Sequence, residues 1–150
     1  MRSITSKRKL TDHLQTRPVG EGLFEEGLDG APPVLLGSKC IRCQEVLFPA
    51  LVDCPSCVGF ETMRPHRLEG RGWLVRSVLS ERGPSGFTVP YVQAYVRLVD
   101  GPVLFTTIDG VAPRDGSSLE VGDELVMSIE PIRRIGDTVI VGWKFRPVPS

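Results

Sequence analysis

The sequence lacks long hydrophobic runs and an excess of charge of either sign. No eighteen consecutive apolar residues occur in the 150-residue chain, so the sequence predicts no membrane-spanning helix. Its 18 basic and 18 acidic residues give a formal net charge of zero. This balance argues against a nucleic-acid-binding protein, because such proteins usually carry a basic excess that neutralises phosphates.

The N-terminal residues lack the features of a secretion signal. The stretch MRSITSKRKLTDHL is basic but contains no apolar core segment. We therefore expect a cytoplasmic protein. Thiols stay reduced in the cytoplasm, where closely paired cysteines are metal ligands more often than disulfides.

The chain contains little that would serve as catalytic machinery. His13 and His66 are its only histidines, one in the basic arm and one directly after Met-Arg-Pro. No nucleophile-elbow, phosphate-loop or dinucleotide-binding glycine pattern occurs. We therefore expect no catalytic residue in this chain, with His13 solvated and His66 at the surface or at an interface.

All four cysteines lie in one short stretch, KCIRCQEVLFPALVDCPSC, residues 39–57. Cys40, Cys43, Cys54 and Cys57 form two C-x-x-C pairs with ten residues between them. Two such pairs supply the four soft, tetrahedral ligands of a structural zinc site, whereas a catalytic zinc keeps an open position. Neither pair has the strand-to-helix setting of a redox-active pair. We predict a closed, structural Zn²⁺ site, with Gly59 relieving the second turn and Gln44 standing where the first turn would favour glycine.

Residues after the cysteine pairs have the pattern of β-strands. In PYVQAYVRL, residues 90–98, apolar and polar positions alternate as in a strand buried on one face. Further β-segments are predicted at residues 72–80, 102–108, 123–132 and 137–145, with turns at Val99–Gly101 and Ile135-Gly136. Gly70 and Gly72 favour a sharply bent first strand. The pattern indicates a mainly β fold with a small closed or nearly closed barrel, and an SH3-like barrel or a small sandwich fits it too.

The region before the cysteines is rich in glycine, proline and charge. It predicts an extended arm or a partly disordered tail up to Gly30, with a short helix around Leu10–Thr16. A strand at Val34–Leu36 leads into the first cysteine pair.

Several segments resemble a known family. LLGSKCIRCQEVLFP followed by CPSC is similar to its zinc ribbon, and LEGRGWLVRSVLS is similar to its glycine-led first barrel strand. VPYVQAYVRLVDGPVLFTTIDG resembles its second and third barrel strands, while LEVGDELVMSIE and WKFRPV resemble the last two. These are the zinc-ribbon/OB-fold proteins once classed as a domain of unknown function and found beside acyl-CoA thiolases, acyltransferases and aldolases. Pro49-Ala50-Leu51 departs from the family's frequent Pro-Pro-Arg, and the Gly/Pro-rich arm departs from its N-terminal helix pair.

The resemblance implies three regions and an accessory role. The regions are an N-terminal arm (1–33), a rubredoxin-like zinc ribbon (34–62) and a five-stranded OB-fold barrel (63–150). The implied function is that of a non-catalytic subunit of a thiolase-type enzyme complex, which supports the partner's folding or assembly and helps to bind acyl-CoA. The alternatives are a subunit of a thiolase-like aldolase in steroid side-chain degradation and a single-stranded nucleic-acid-binding OB protein.

Two sets of residues are candidates for these contacts. Guanidinium and ammonium groups would suit the phosphates of CoA, although solvated surface positions are the alternative. The CoA candidates are Arg64, Arg67, Arg71, Arg76 and Lys144. The candidates for the partner interface are Phe48, Phe87 and Tyr91, because exposed aromatics anchor interfaces. The apolar residues between the cysteine pairs, Val46 to Val52, are expected to meet the barrel or the partner.

Overall fold

The computed structural model describes residues 15–111 and 119–148, and all regular structure within these ranges is β. Its ten strands are β1 (Gln15–Pro18), β2 (Phe24–Glu25), β3 (Val34–Cys40), β4 (Val46–Leu47), β5 (Met63–Glu69), β6 (Arg71–Ser80), β7 (Tyr91–Leu98), β8 (Val103–Ile108), β9 (Glu124–Ile135) and β10 (Thr138–Pro147). A helix long and apolar enough to cross a membrane does not occur in these ranges.

Strands β6 to β10 close into a five-stranded barrel. Hydrogen-bonded neighbours follow the order β6, β7, β8, β10, β9, and β9 returns to β6. All pairings are antiparallel except a parallel contact between β8 and β10 at Ile108 and Phe145. This closed order is that of an OB-fold, so the structure confirms the predicted mainly β fold and its five-stranded barrel.

The strand pattern predicted from the sequence explains how the barrel buries its core. Along β7, Val92, Ala94, Val96 and Leu98 are all buried, and the alternate residues point outward. Gly72 on β6 lies against the carbonyl of Arg97, where an added Cβ would overlap the oxygen. Glycine thus permits the close approach of β6 to β7, and a larger residue would clash here, which is the reason for which the sequence analysis singled out Gly72.

Both predicted hairpin turns are present. Gly101 ends the turn between β7 and β8 with φ of 115°, and its N–H donates to the carbonyl of Leu98 at 2.9 Å. Gly136 turns β9 into β10 with φ of 59°. Positive φ is the conformation that glycine adopts without a steric penalty.

The cysteine-containing segment forms a second sheet with β3 at its centre. Strand β3 pairs with β2, β4 and β5, all antiparallel. Strand β5 therefore lies in this sheet, although the sequence assigned residues from 63 onward to the barrel. Its polar sequence, MRPHRLE, has no apolar alternation that would predict a strand. Gly70 alone separates β5 from the first barrel strand.

Part of the N-terminal arm is ordered against the rest of the chain. Strand β1 runs parallel to β10, with Gln15 opposite Thr138 and Pro18 opposite Val141. Gln15 and Thr16 are therefore extended, so the predicted helix at Leu10–Thr16 is wrong at these two residues. The remainder of that segment, with His13, lies outside the described residues. The edge of β10 supplies backbone partners that sequence propensity does not reveal.

The two sheets share one hydrophobic core. Leu35 and Leu68 from the second sheet are fully buried in the same cluster as Leu125 and Phe145 of the barrel. Trp143 on β10 packs nearly perpendicular to two aromatic rings, Phe24 of the second sheet and Phe48 of the loop after β4. Ribbon and barrel are therefore packed as one unit.

Candidate metal centre and contact surfaces

The four cysteine sulfurs converge on one point. Their Sγ atoms all lie within 4.8 Å of one another. Cys40 and Cys57 are separated by 3.6 Å and Cys43 and Cys54 by 3.5 Å, far longer than the roughly 2.05 Å of a disulfide. A tetrahedral ion with zinc–sulfur distances of about 2.3 Å holds its sulfurs roughly 3.8 Å apart. The donor set and its spacing therefore fit zinc.

Backbone geometry at each C-x-x-C turn aims the sulfurs inward. Strand β3 delivers Cys40, whose Sγ accepts from the N–H groups of Arg42 at 3.4 Å and Cys43 at 3.5 Å. The residue after each pair takes a left-handed conformation, with φ of 69° at Gln44 and 59° at Val58. The sequence had assigned the relief of the second turn to Gly59, but the structure places the left-handed residue one position earlier.

Hydrogen bonds and burial shift the pKa values of two of the cysteine thiols in opposite directions. The pKa of Cys40 is lowered to about 6, chiefly by the backbone N–H of Cys43 and then by the Thr62 hydroxyl. The pKa of Cys43 rises to about 12: a backbone hydrogen bond at Glu45 opposes the rise but is outweighed by burial and the neighbouring thiols. A bound divalent cation would make all four cysteines thiolates despite these different pKa values, because coordination deprotonates a thiol outright.

Thr62 contacts the cysteine cluster, and no sequence pattern predicted this role. Its Oγ1 lies 3.3 Å from Cys40 Sγ and donates to the carbonyl of Gly59 at 3.3 Å. The side chain is buried. Side chains that hydrogen-bond to a metal ligand fix the orientation of that ligand. Thr62 thus ties the two turns together.

A cleft of about 710 Å³ lies beside the ribbon sheet. Its wall is largely apolar and includes Leu36, Leu51 and Met63. Arg64 and Arg67 from β5 line it as well. Arg67 forms an ion pair with Glu25 at 3.1 Å, and Arg64 donates to the carbonyl of Glu61 at 2.8 Å.

The other predicted CoA residues lie elsewhere. Lys144 pairs with Asp109 at 3.5 Å and lines a smaller cavity of about 150 Å³. Arg71 lies between Glu69 and Glu124, at 3.9 and 3.6 Å. Neither Arg71 nor Arg76 lines either of these two cavities. The structure therefore brings together two of the five candidates, not all of them in one groove.

The predicted interface residues are half-buried in this chain. The ring of Phe48 meets Trp143 edge-on, with centroids 5.4 Å apart. Phe87 and Tyr91 lie 5.7 Å apart and line the same small cavity as Lys144. The apolar residues between the cysteine pairs fall into a packed group and an exposed group. Val46 and Phe48 pack on the barrel core, whereas Leu51 and Val52 are 48% and 66% exposed.

His66 is the one histidine in the described part of the chain. Its Nε2 lies 3.7 Å from Asp100 Oδ1 in the β7–β8 turn. Asp100 Oδ2 in turn accepts the backbone N–H of Glu69 at 3.0 Å. The pair connects the ribbon sheet to the barrel, and no cysteine lies in this arrangement.

Two family models match the chain in succession. The model described as the ChsH2 rubredoxin-like zinc ribbon domain matches residues 29–62, which include all four cysteines. The model described as the ChsH2 C-terminal OB-fold domain matches residues 66–130. The clustered cysteines and the zinc-ribbon match together identify the cofactor as zinc.

Relatives and a solved structure cover most of the chain. The benzoylsuccinyl-CoA thiolase subunit BbsA of Thauera aromatica is 32% identical over 127 residues, which cover 84% of this chain and 85% of the relative. A DUF35 domain-containing scaffold protein of Methanothermobacter thermautotrophicus is 31% identical over 117 residues, covering 75% and 86%.

The structure of the Ltp2-ChsH2(DUF35) aldolase has a TM-score of 0.61 and 26% identity to this chain. The match covers 76% of this chain and 84% of the other. The order of zinc ribbon and barrel, the matched family models and these relatives agree: the chain belongs to the ChsH2-like, DUF35 family of zinc-ribbon/OB-fold proteins.

Proposed function

We propose that this chain is a zinc-containing accessory subunit of a thiolase-type acyl-CoA enzyme. The observation that carries the proposal is the similarity, over 84% of this chain and 85% of the relative, to a protein named as a thiolase subunit. The fold agrees with a supporting role, because the zinc ribbon and the barrel pack around one shared hydrophobic core. The partner would supply the catalytic residues.

The zinc site supports a structural role for the metal. Cys40, Cys43, Cys54 and Cys57 would each supply one thiolate and complete the tetrahedron. No coordination position then remains for water or substrate, so the ion would stabilise the ribbon and not carry out chemistry. A reducing compartment such as the cytoplasm would keep these thiols free for the metal.

Acyl-CoA contact is the finer part of the proposal. The apolar cleft with Arg64 and Arg67 offers guanidinium groups beside a wall that suits an aliphatic chain. These two arginines are therefore our CoA candidates. Replacing both with Glu should raise the KM of the assembled enzyme for its acyl-CoA about tenfold with little change in kcat. Arg134→Glu, at an exposed position outside the cleft, is the control; an unchanged KM in the double variant would contradict the assignment.

An aldolase partner is the second candidate. The similarity to the Ltp2-ChsH2(DUF35) aldolase favours this candidate, because the two chains share the fold and 26% sequence identity. A single-stranded nucleic-acid role is disfavoured by the formal net charge of zero.

Co-expression tests the proposed function. The chain should be produced together with each thiolase-fold protein of its own genome, with a thiolase from an unrelated organism as control. We expect a complex that co-elutes in size-exclusion chromatography and has acyl-CoA-dependent activity that the partner alone lacks. A partner that is fully active alone and never associates would show the proposal to be wrong.

A further inference from the structure

The outward face of the barrel from β6 to β8 carries three aromatic and two arginine side chains. We call it the aromatic face and define it by Trp73, Arg76, Tyr95, Arg97, Val103 and Phe105. Strand register places them in two neighbouring rows across three strands: Trp73, Arg97 and Val103 in one, and Arg76, Tyr95 and Phe105 in the other.

The aromatic face is exposed although it is largely apolar. Trp73 is 42% exposed, Tyr95 46% and Phe105 49%. The rings of Tyr95 and Phe105 pack against each other at a tilt of 46°, with centroids 4.8 Å apart. The alternate residues of the same strands, such as Val96 and Leu104, fill the barrel core. The core therefore does not need these rings, which leaves them available to a binding partner.

The charge on the aromatic face is positive. Arg76 and Arg97 are its charged residues, and neither forms an ion pair within the described ranges. Among the residues that the structure describes, the side chain of Arg97 makes one hydrogen bond, a long one of 3.5 Å to the carbonyl of Gly101. Glu124 lies opposite Trp73 on β9, at the border of the face. An occupant with apolar and acidic groups would complement this surface.

We propose that the aromatic face is the surface on which the thiolase-fold partner docks, an inference that rests on the proposed function. Tyrosine, tryptophan and arginine are the residues that dominate binding energy at protein interfaces. A second copy of this chain is disfavoured as occupant, because a two-fold contact would set the same arginine-bearing face against itself. Nucleic acid is disfavoured because the chain as a whole is neutral.

A double variant, Tyr95→Ser with Phe105→Ser, tests the docking surface. Both side chains point outward, so the fold should persist, which thermal unfolding of the zinc-loaded protein will check. We expect the affinity for the co-expressed partner, measured by calorimetry, to fall about 100-fold. Leu28→Ser with Val121→Ser is the matched control, because these residues are 83% and 79% exposed and lie off the aromatic face.

The charge of the face is tested independently by Arg76→Glu with Arg97→Glu. This variant retains the aromatic rings, so it also serves if the serine variant does not fold. The association rate should fall at least tenfold at low salt and become less sensitive to ionic strength. Arg134→Glu, on β9, is the control and should leave the rate unchanged.

Different outcomes separate this inference from the function on which it rests. If the wild-type chain binds the partner and both double variants bind it equally well, the aromatic face is not the docking surface, although the accessory role stands. If the wild-type chain binds no thiolase-fold partner, the proposed function itself fails. Self-association in sedimentation, or salt-dependent binding of a fluorescein-labelled dT oligonucleotide, either of them lost in the Tyr95/Phe105 variant, would assign the face to another occupant and overturn the inference.

Discussion

Val58 illustrates the cost of a tight metal-binding turn at the scale of one residue. It follows the last cysteine with φ of 59°, a region in which β-branched residues are strongly disfavoured. Its side chain is 85% exposed, so packing does not compensate for the strain. The C-x-x-C turn imposes this conformation, because the backbone must pass around the sulfurs at that point.

Substituting Val58 with glycine should therefore stabilise the zinc-loaded protein. Relief of left-handed strain is worth about 1–3 kcal/mol, and the greater freedom of glycine in the unfolded chain offsets roughly 0.5–1 kcal/mol. We expect a net gain of about 1 kcal/mol in the free energy of unfolding, measured by denaturant titration. Val121→Gly is the control, because Val121 is 79% exposed and is not a positive-φ position. It should lose stability, and a loss in Val58→Gly as well would show that the strain is absent.

At the scale of the element, the ribbon sheet depends on the metal for its tip. Apart from β4, residues 41–62 form turns and irregular segments around the four cysteines, with hydrogen bonds such as Cys54 N–H to the Gly59 carbonyl at 3.0 Å. Few apolar contacts lie there: the buried cluster consists of Cys40, Cys54 and Met63. So small a core needs a metal ion to stay folded.

Cys40→Ser should remove most of the zinc and loosen this tip. Cys40 is fully buried and receives two backbone hydrogen bonds, so its loss leaves three ligands and disrupts the first turn. We expect zinc content to fall well below the roughly one ion per chain of the wild type, as measured by mass spectrometry of the metal. Ser56→Ala, an exposed change within the second pair, should retain zinc. Full zinc content in Cys40→Ser would contradict the four-cysteine site.

The elements predicted from the sequence were those with a strong local pattern. Alternation located β7, and the Asp100-Gly101 and Ile135-Gly136 turns fixed the hairpins. Strands β1 and β5 were not predicted, because their order comes from backbone pairing with β10 and β3 and not from apolar periodicity. Cysteine spacing was enough to predict the metal site, whereas the division of the arginines between separate surfaces depends on strand direction and barrel closure.

At the scale of the whole molecule, aromatic contacts join the two sheets. Trp143 of the barrel receives Phe24 edge-on at 6.1 Å and Phe48 at 5.4 Å. Phe48 lies in the loop between the cysteine pairs, so the metal-binding segment is held against the barrel at this point. The His66–Asp100 pair provides a second connection.

Phe48→Ala should weaken the connection between ribbon and barrel. The half-buried ring loses apolar burial and an edge-on aromatic contact, together worth about 2 kcal/mol. Limited proteolysis should cleave the ribbon faster, and the free energy of unfolding should fall by that amount. Phe60→Ala is a matched control on the same ribbon, because its ring is 76% exposed. Equal effects of the two substitutions would show that the contact with Trp143 contributes nothing.

The single-residue connection at Gly70 has a consequence for recombining this family's parts. Two family models divide the chain near residue 62, yet Leu35 on the ribbon side shares one buried cluster with Leu68, Leu125 and Phe145 on the other side. In a chimera that joins the ribbon of one homologue to the barrel of another, the side chains of the shared hydrophobic core would come from two different proteins and would pack poorly. The smallest unit that can be exchanged between homologues without repacking is therefore the ribbon together with its barrel. Partner specificity would have to be changed by surface substitutions alone.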